Sequence, residues 1–164
     1  MKRLIVVAIA VIPLLIGCQT DMSHIERGNI TSANKVLVVG TSSDFKQKVI
    51  SQVMESKQLQ QCYFNVIGLN QVDKVDTEPY QVILFVTTYM AGHLDGRVTQ
   101  FLQKDPLNAK IVVFYTVGDE DHPPSGRHKP DIRVDAVASA SKSSRVQERA
   151  DELVALIEKR FTSQ

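Results

Sequence analysis

The sequence predicts an α/β protein: a single domain with a doubly wound, five-stranded parallel sheet in the strand order 2-1-3-4-5. Two observations predict it. Five short apolar segments follow one another between residues 35 and 140, and most of them are continuously apolar, as in strands covered on both faces. Polar links and segments with helical periodicity separate them, and such alternation implies right-handed crossovers between parallel strands.

The first strand and helix are the clearest pair. Val36–Val39 is a β-branched run that ends at Gly40. Asp44 is the predicted helix N-cap, and the residues behind it repeat on one helical face. The members of that face are Phe45, Val49, Ile50, Val53 and Met54. A second strand is expected over Cys62–Leu69, and the link Asn70–Pro79 leaves room for little more than one helical turn.

The remaining elements follow the same rule. Tyr80–Thr87 is the most apolar strand and is predicted to lie near the sheet centre, and Ile111–Val117 is the fourth strand. Between them, Leu94, Val98, Phe101 and Leu102 mark the buried face of a helix. After a long loop, Gly118–Pro130, Ile132–Ala140 alternates as an edge strand. The last helix is expected to start near Ser143 or Ser144. Its inward residues would be Val146, Ala150, Leu153, Val154, Ile157 and Phe161.

Composition excludes several classes of protein. The 164 residues carry 19 Lys and Arg against 18 Asp and Glu, and 43% are apolar. These are ordinary globular values, so the chain is neither disordered nor collagenous. A net charge of +1 provides no basic face, and no nucleic acid is expected as a partner.

The amino terminus has the features of an export signal. Lys2 and Arg3 precede an apolar run, Leu4–Ile16, that is too short to span a bilayer as a helix. The run ends in Leu15-Ile16-Gly17-Cys18. This resembles the lipobox of bacterial lipoproteins, which implies cleavage after Gly17 and acylation of Cys18 by chains such as palmitate. Two or three chains anchor a protein firmly to a membrane.

The resemblance to lipoproteins implies a division of the chain into three parts. Residues 1–17 are the signal peptide, residues 18–34 the lipidated cysteine and a flexible polar tether, and residues 35–162 the folded domain. Gln19 follows the cysteine, which in Gram-negative lipoproteins implies the outer membrane, here with the domain facing the periplasm. Cys62 is then the one remaining thiol, so no intramolecular disulfide is expected and the core must provide the stability.

Several chemistries that use such a sheet are excluded by missing motifs. The chain has no Gly-Lys-Ser/Thr phosphate loop, no Cys-x-x-Cys pair and no hydrolytic triad. Gly40-Thr41-Ser42 and Thr87-Thr88 stand where a phospho-receiver domain has acidic residues. No catalytic residue is therefore assigned.

The loop Gly118–Pro130, GDEDHPPSGRHKP, leaves three interpretations open. The first is a metal site built from acidic and histidine side chains, whose spacing fits no known ligand pattern, and no metal is assigned. The second is anion binding by Arg127, His128 and Lys129. The third is a proline-rich surface loop. The residues in the metal interpretation are Asp119, Glu120, Asp121, His122 and His128.

Residues 80–118 resemble the flavodoxin family. Tyr80–Gly92, YQVILFVTTYMAG, is similar to the third strand and loop of flavodoxins, Leu94–Leu102 to the helix that follows, and Ile111–Gly118 to the fourth strand. The resemblance implies a flavodoxin-like fold over residues 35–162. It also implies FMN as the cofactor to be tested.

The resemblance assigns candidate FMN contacts to three loops. The phosphate turn of the family, Thr/Ser-x-Thr-Gly-x-Thr, falls on Thr41, Ser42 and Ser43, but Asp44 replaces its glycine and Lys46 its last threonine. A carboxylate there would repel phosphate and compete for the amides of the helix N-terminus, whereas Lys46 would attract it. The contacts implied in the other loops are Thr88, Tyr89 as the stacking aromatic, Met90, Gly92 and Gly118.

Two functional hypotheses follow. In one, the protein is a membrane-tethered FMN electron carrier with a redox partner. In the other, it is a cofactor-free, non-catalytic binding or assembly module of the cell envelope, with a degenerate flavin site and an unidentified envelope protein as partner. Asp44 in the phosphate turn favours the second hypothesis.

Overall fold

The structure is a computed structural model that describes residues 20–104, 109–118 and 134–162. The predicted signal peptide and the lipobox with Cys18 lie outside the described residues. So do the metal and anion interpretations of residues 119–130. Within the described ranges, no helix has the length and apolar character needed to cross a membrane.

Seven strands and three α-helices make up the described chain. In order they are β1 (Thr20–Asp21), β2 (Ile25–Arg27), β3 (Lys35–Ser42), α1 (Asp44–Glu55), β4 (Tyr63–Gly68), β5 (Val82–Thr88), α2 (Gly96–Lys104), β6 (Ile111–Val117), β7 (Asp135–Ala140) and α3 (Val146–Thr162). Single turns of 3-10 helix occupy Lys57–Leu59 and Ser143–Arg145, and a longer one occupies Leu69–Lys74 in the predicted link between strands.

The central sheet confirms the predicted fold class and strand order. Strands β4, β3, β5, β6 and β7 lie side by side in that order, and all pair in parallel. Numbered by sequence among themselves, they give 2-1-3-4-5. β3 and β5 are therefore the pair at which the direction of winding reverses.

Helices cover both faces of this sheet. α1 and α3 pack on one face, where the predicted apolar residues of both helices form a cluster with alternate residues of the strands. α2 covers the other face, but Val98 is its one fully buried residue, and Phe101 and Leu102 are half-buried. Leu94, which the sequence places on this helix, is half-buried in the segment that precedes it. The sheet is thus a buried middle layer, as its continuous apolar strands require.

The prediction of a flexible tether over residues 18–34 is wrong for residues 20–34, the part that the structure describes. Thr20–Asp21 pairs antiparallel with the end of β3, and Ile25–Arg27 pairs antiparallel with β4 at the edge of the sheet. Between them, Met22 is buried in the core beside α1. The segment folds because its apolar side chain and its backbone groups find partners that are distant in the sequence.

The predicted N-cap of α1 is also wrong. Ser43 has the extended backbone of an N-cap residue, and its Oγ accepts a hydrogen bond from the backbone N–H of Lys46 at 3.3 Å. Asp44 is the first helical residue, where its charge still favours the positive end of the helix dipole. The N-cap and the first helical residue therefore each lie one residue earlier than predicted.

Candidate functional site at the carboxyl ends of the strands

The carboxyl ends of β3, β5 and β6 meet at one edge of the sheet, where ligands of doubly wound folds bind. Among the residues that the sequence assigns to a flavin, Thr41 and Ser42 end β3, and Thr88 ends β5. Gly118 is an exposed residue directly after β6. The topology thus brings the three predicted loops to the same edge.

Lys46 lies inside this edge. Its side chain starts from the first turn of α1 and is only 1% exposed. The Nζ donates hydrogen bonds to Oγ1 of Thr41 at 2.8 Å and to Oγ1 of Thr88 at 2.7 Å. Thr88 in turn lies 3.2 Å from the hydroxyl of Thr116 on β6. A buried polar network therefore joins α1 to three strands.

Burial changes the acidity of this ammonium group. Loss of hydration lowers the pKa of Lys46 from 10.5 to about 8, and the negative charge of Asp95 opposes that shift. The pKa of Asp95 is itself held below its usual value, mainly by the hydrogen bond that it accepts from Arg97. At neutral pH the site thus contains a lysine cation bound by neutral hydroxyl groups.

The turn between β3 and α1 is short. β3 continues to Ser42 and α1 starts at Asp44, so Ser43 alone links them. The hydroxyl of Ser42 accepts a 2.6 Å hydrogen bond from the side-chain amide of Gln47. β1 pairs with Thr41 and Ser42 and keeps them in extended conformation. Two of the three predicted hydroxyl donors therefore belong to the sheet and have neighbours within the protein.

The ring of Tyr89, the predicted stacking residue, is buried in the protein. It is 7% exposed, and its ring packs against that of Tyr115 with 6.1 Å between centroids. Its hydroxyl is buried and has no hydrogen-bond partner among residues 20–104, 109–118 and 134–162. Burial, together with Tyr89, also raises the pKa of Tyr115. The predicted stacking residue is a core residue on the α2 face.

Met90 and Gly92 form a tight turn beside it. The backbone N–H of Met90 donates to the carbonyl of His93 at 2.9 Å, and His93 donates back to Met90 at 3.0 Å. Ala91 and Gly92, the two residues between, have φ values of 52° and 88°, as in a hairpin turn of type I′. Met90 is 64% exposed. The turn therefore presents an apolar thioether side chain to the surroundings.

Three charged residues at this edge were missed in the sequence. Arg97 binds Asp95 through a 2.9 Å ion pair, and its other nitrogen lies 3.6 Å from the carboxylate of Asp21 on β1. Asp95 also accepts the backbone N–H of Arg97 at 2.9 Å, a helix-capping pattern that an Asp before an apolar helical face does signal. No sequence pattern signals Asp21, because its partners are distant along the chain.

The chain is similar to known proteins in structure but not in sequence. No protein-family model and no curated protein matches the chain. The Flv1 flavodiiron core of Synechocystis superposes with a TM-score of 0.53 at 11% identity, over 82% of this chain and 38% of that one. A WrbA-like flavodoxin from Agrobacterium tumefaciens gives 0.50 at 11% identity, over 81% and 100%. The apo form of EMOB, an NADH:FMN oxidoreductase, gives 0.52 at 12% identity, over 79% and 89%.

The fold is flavodoxin-like. At this level of identity the likeness concerns the fold alone, and this chain spans about 38% of the flavodiiron core. Whether a flavodoxin-like fold holds FMN depends on the residues at its carboxyl edge.

The described residues do not fit an FMN phosphate. A phosphate turn needs several backbone N–H groups that converge on the anion, and here a single residue, Ser43, links strand and helix. The Ser43 hydroxyl already caps the N–H of Lys46, and Asp44 adds a negative charge at the same place. The Lys46 ammonium is bound by Thr41 and Thr88 within the protein.

Proposed function

We propose that the mature protein is a lipid-anchored envelope protein whose flavodoxin-like domain works without flavin, as a non-catalytic module that binds another envelope protein. The anchor is the acylated Cys18, and the domain faces the periplasm from the outer membrane. One observation carries the flavin-free part of the proposal: the buried Lys46 ammonium with its hydrogen bonds to Thr41 and Thr88.

A buried ammonium of this kind supports a structural role for the edge. It completes hydrogen bonds between α1, β3 and β5 without a ligand, and charge-assisted bonds of this type are stronger than neutral ones. The buried Tyr89 points the same way, because an aromatic ring that packs in the core does not offer a face to isoalloxazine. The flavodoxin-like frame then provides a rigid sheet, and binding falls to its outer surfaces.

An FMN titration tests this proposal. The protein that begins at Gln19 is mixed with FMN, and quenching of flavin fluorescence is measured. We expect no quenching at FMN concentrations of tens of micromolar. The matched variant Asp44→Gly removes the carboxylate that repels phosphate and restores the glycine of the family pattern, and it should bind FMN more tightly than the natural chain. Tight binding by the natural chain that is lost in Tyr89→Ala would overturn the flavin-free proposal.

The alternative function is FMN-dependent electron transfer at the membrane surface with a redox partner. The observation that favours it is the same ammonium group, since a lysine among threonine hydroxyls is a suitable environment for an anion. For FMN to bind there, Lys46 would have to exchange its threonine partners for phosphate. The titration above separates the two functions.

The lipid anchor has its own test. Cys18→Ser should leave the protein without acyl groups, either as an uncleaved precursor or outside the membrane fraction. Mass spectrometry of the purified protein reads the acyl groups directly. A Cys18→Ser protein that is still processed, acylated and membrane-bound would contradict the proposed anchor.

A further inference from the structure

We infer that the carboxyl edge of the sheet lies against the lipid headgroups of the membrane that carries the anchor, with the Met90 turn in contact with lipid. This inference rests on the acylation of Cys18 proposed above. It concerns the orientation of the domain, which acylation by itself leaves open.

The amino-terminal chain joins the domain at the end of β3. β1 pairs with the end of β3, Thr20 opposite Ser42 and Asp21 opposite Thr41. The backbone N–H of Met22 then donates to the carbonyl of Gly40 at 2.9 Å. The chain therefore enters the fold at the carboxyl edge, beside the switch point.

Side-chain contacts hold β1 firmly to the rest of the domain. Oδ1 of Asp21 accepts the backbone N–H of Leu69 at 3.1 Å, and Arg97 approaches the same oxygen from the α2 side at 3.6 Å. Gly68 allows the close approach, because a Cβ at that position would lie 2.8 Å from the Cβ of Asp21. Met22 is 8% exposed and packs in the core. β1 is therefore part of the rigid domain, and the free length of chain before it is short.

The connection between Cys18 and the domain is shorter than the radius of the domain. Two residue steps separate Cys18 from Thr20, and a fully extended chain covers at most about 7 Å in two steps. A compact domain of this size has a radius of gyration of about 14 Å. A connection shorter than the domain's own radius does not allow the domain to turn its opposite edge to the membrane. The acyl chains on Cys18 thus place the end of β3 next to the headgroups.

The carboxyl edge also exposes an apolar side chain, Met90. Met90 is the first residue of the turn that follows β5, it is 64% exposed, and β5 ends at the same edge as β3. The flexible, weakly polar side chain of methionine suits the boundary between headgroups and acyl chains. Among the described residues of this edge, Asp21 and Asp95 are paired with Arg97. The anchor and its short connection set the orientation.

The consequence for function is a restriction on partners. A protein partner would reach the domain from the helix-covered faces or from the amino-terminal edge, while the crevice edge is turned to lipid. Ile30 marks the distal edge, since it is 61% exposed and precedes the start of β3. Eight strand residues of about 3.3 Å each place it roughly 26 Å from the carboxyl edge.

Two single-cysteine variants test the orientation. Met90→Cys and Ile30→Cys are made in the full chain with Cys62→Ala, processed and acylated in cells, labelled with a nitroxide and placed in vesicles of phosphatidylethanolamine and phosphatidylglycerol. Collision of the nitroxide with a nickel chelate on a lipid headgroup is measured by power saturation. We expect strong collision for the Met90 label and several-fold weaker collision for the Ile30 label.

A lengthened connection is the control. Twenty Gly and Ser residues inserted between Gln19 and Thr20 have an end-to-end distance of about 25 Å, and the two labels should then give similar collision rates. Mass spectrometry of the same samples reports the acyl groups. Equal collision for both labels in an acylated, unextended protein overturns the orientation alone. Absence of acyl groups overturns the orientation together with the proposed anchor.

Discussion

The Nζ of Lys46 on α1 lies 2.7 Å from Oγ1 of Thr88 at the end of β5. This hydrogen bond links the helix that follows the first parallel strand to the third parallel strand, across the point where the sheet reverses its winding. A family resemblance assigns both residues to contacts with FMN, and in the structure they bind each other.

The first prediction concerns pH. The pKa of Lys46 is about 8 in the folded protein, against an ordinary 10.5 in the unfolded chain. Between these values the unfolded state binds more protons, so this group makes the folded state more stable as pH rises through the window. The free energy of unfolding of the natural protein, minus that of Lys46→Met, should increase by roughly 2–3 kcal/mol from pH 8 to pH 10.5.

Urea denaturation of both proteins at several pH values measures this difference. The comparison cancels the opposite contribution of Cys62, whose pKa is raised to about 11 by burial and by Glu158. At pH 7 we expect Lys46→Met to be as stable as the natural protein or more stable, because a well-packed apolar side chain often replaces a buried charge at no cost. A difference that stays flat from pH 8 to pH 10.5 would contradict the buried ammonium.

The second prediction concerns the acceptors of the ammonium. Thr41 is fully buried, and Thr41→Val keeps its shape while it removes the 2.8 Å hydrogen bond from Lys46. Because the buried ammonium then loses one of its two hydroxyl acceptors and keeps the Thr88 hydroxyl, the variant should lose about 1–3 kcal/mol of unfolding free energy. In the Lys46→Met background the same change should cost almost nothing. Equal costs in both backgrounds, measured by chemical denaturation, would show that the two residues are not coupled.

The third prediction concerns the segment before β3. Met22 is 8% exposed, whereas Ile25 on β2 is 45% exposed. Met22→Ala should therefore cost about 2 kcal/mol of stability, and Ile25→Ala, the matched control, less than about 1 kcal/mol. Thermal and urea unfolding of the two variants read the costs. If both changes have equally small effects, residues 20–27 are not part of the folded domain.

The fourth prediction concerns the hydrogen bond that fixes β1. Asp21→Ala removes the acceptor of the Leu69 N–H and should accelerate hydrogen exchange at Leu69 and Met22. Asp21→Asn keeps an oxygen acceptor and loses the charge. Since the ion pair with Arg97 is half-exposed, this control should change exchange only slightly. Fast exchange at both amides in the natural protein would contradict a firmly bound β1.

The parallel core of the fold was predictable because its signals are local. Apolar runs such as Ile111–Val117 coincide with their strand, and the helical periodicity of α3 predicts which of its residues are buried. The strand order was predicted because five strands that alternate with helices fit the order known for flavodoxin-like sheets. The amino-terminal strands were missed because two- and three-residue strands are too short to show periodicity.

The site was predicted in composition but not in arrangement. Thr41, Lys46 and Thr88 are all at the edge where the sequence assigned them. Their direct contact and the burial of Tyr89 were not predictable, because both depend on side-chain directions in three packed elements. Ser43 caps α1 in place of the predicted Asp44, since either side chain is a good cap and the backbone conformation chooses between them.

The sequence alone thus determined the class of the fold and the residues gathered at one edge, since these depend on hydrophobic periodicity and chain connectivity. The tertiary structure alone decided that Lys46 is bound within the protein and that Asp21 holds β1 against the carboxyl edge. The physical reason is that a residue's partners 42 or 48 positions away depend on the packing of whole elements. No local pattern encodes that packing.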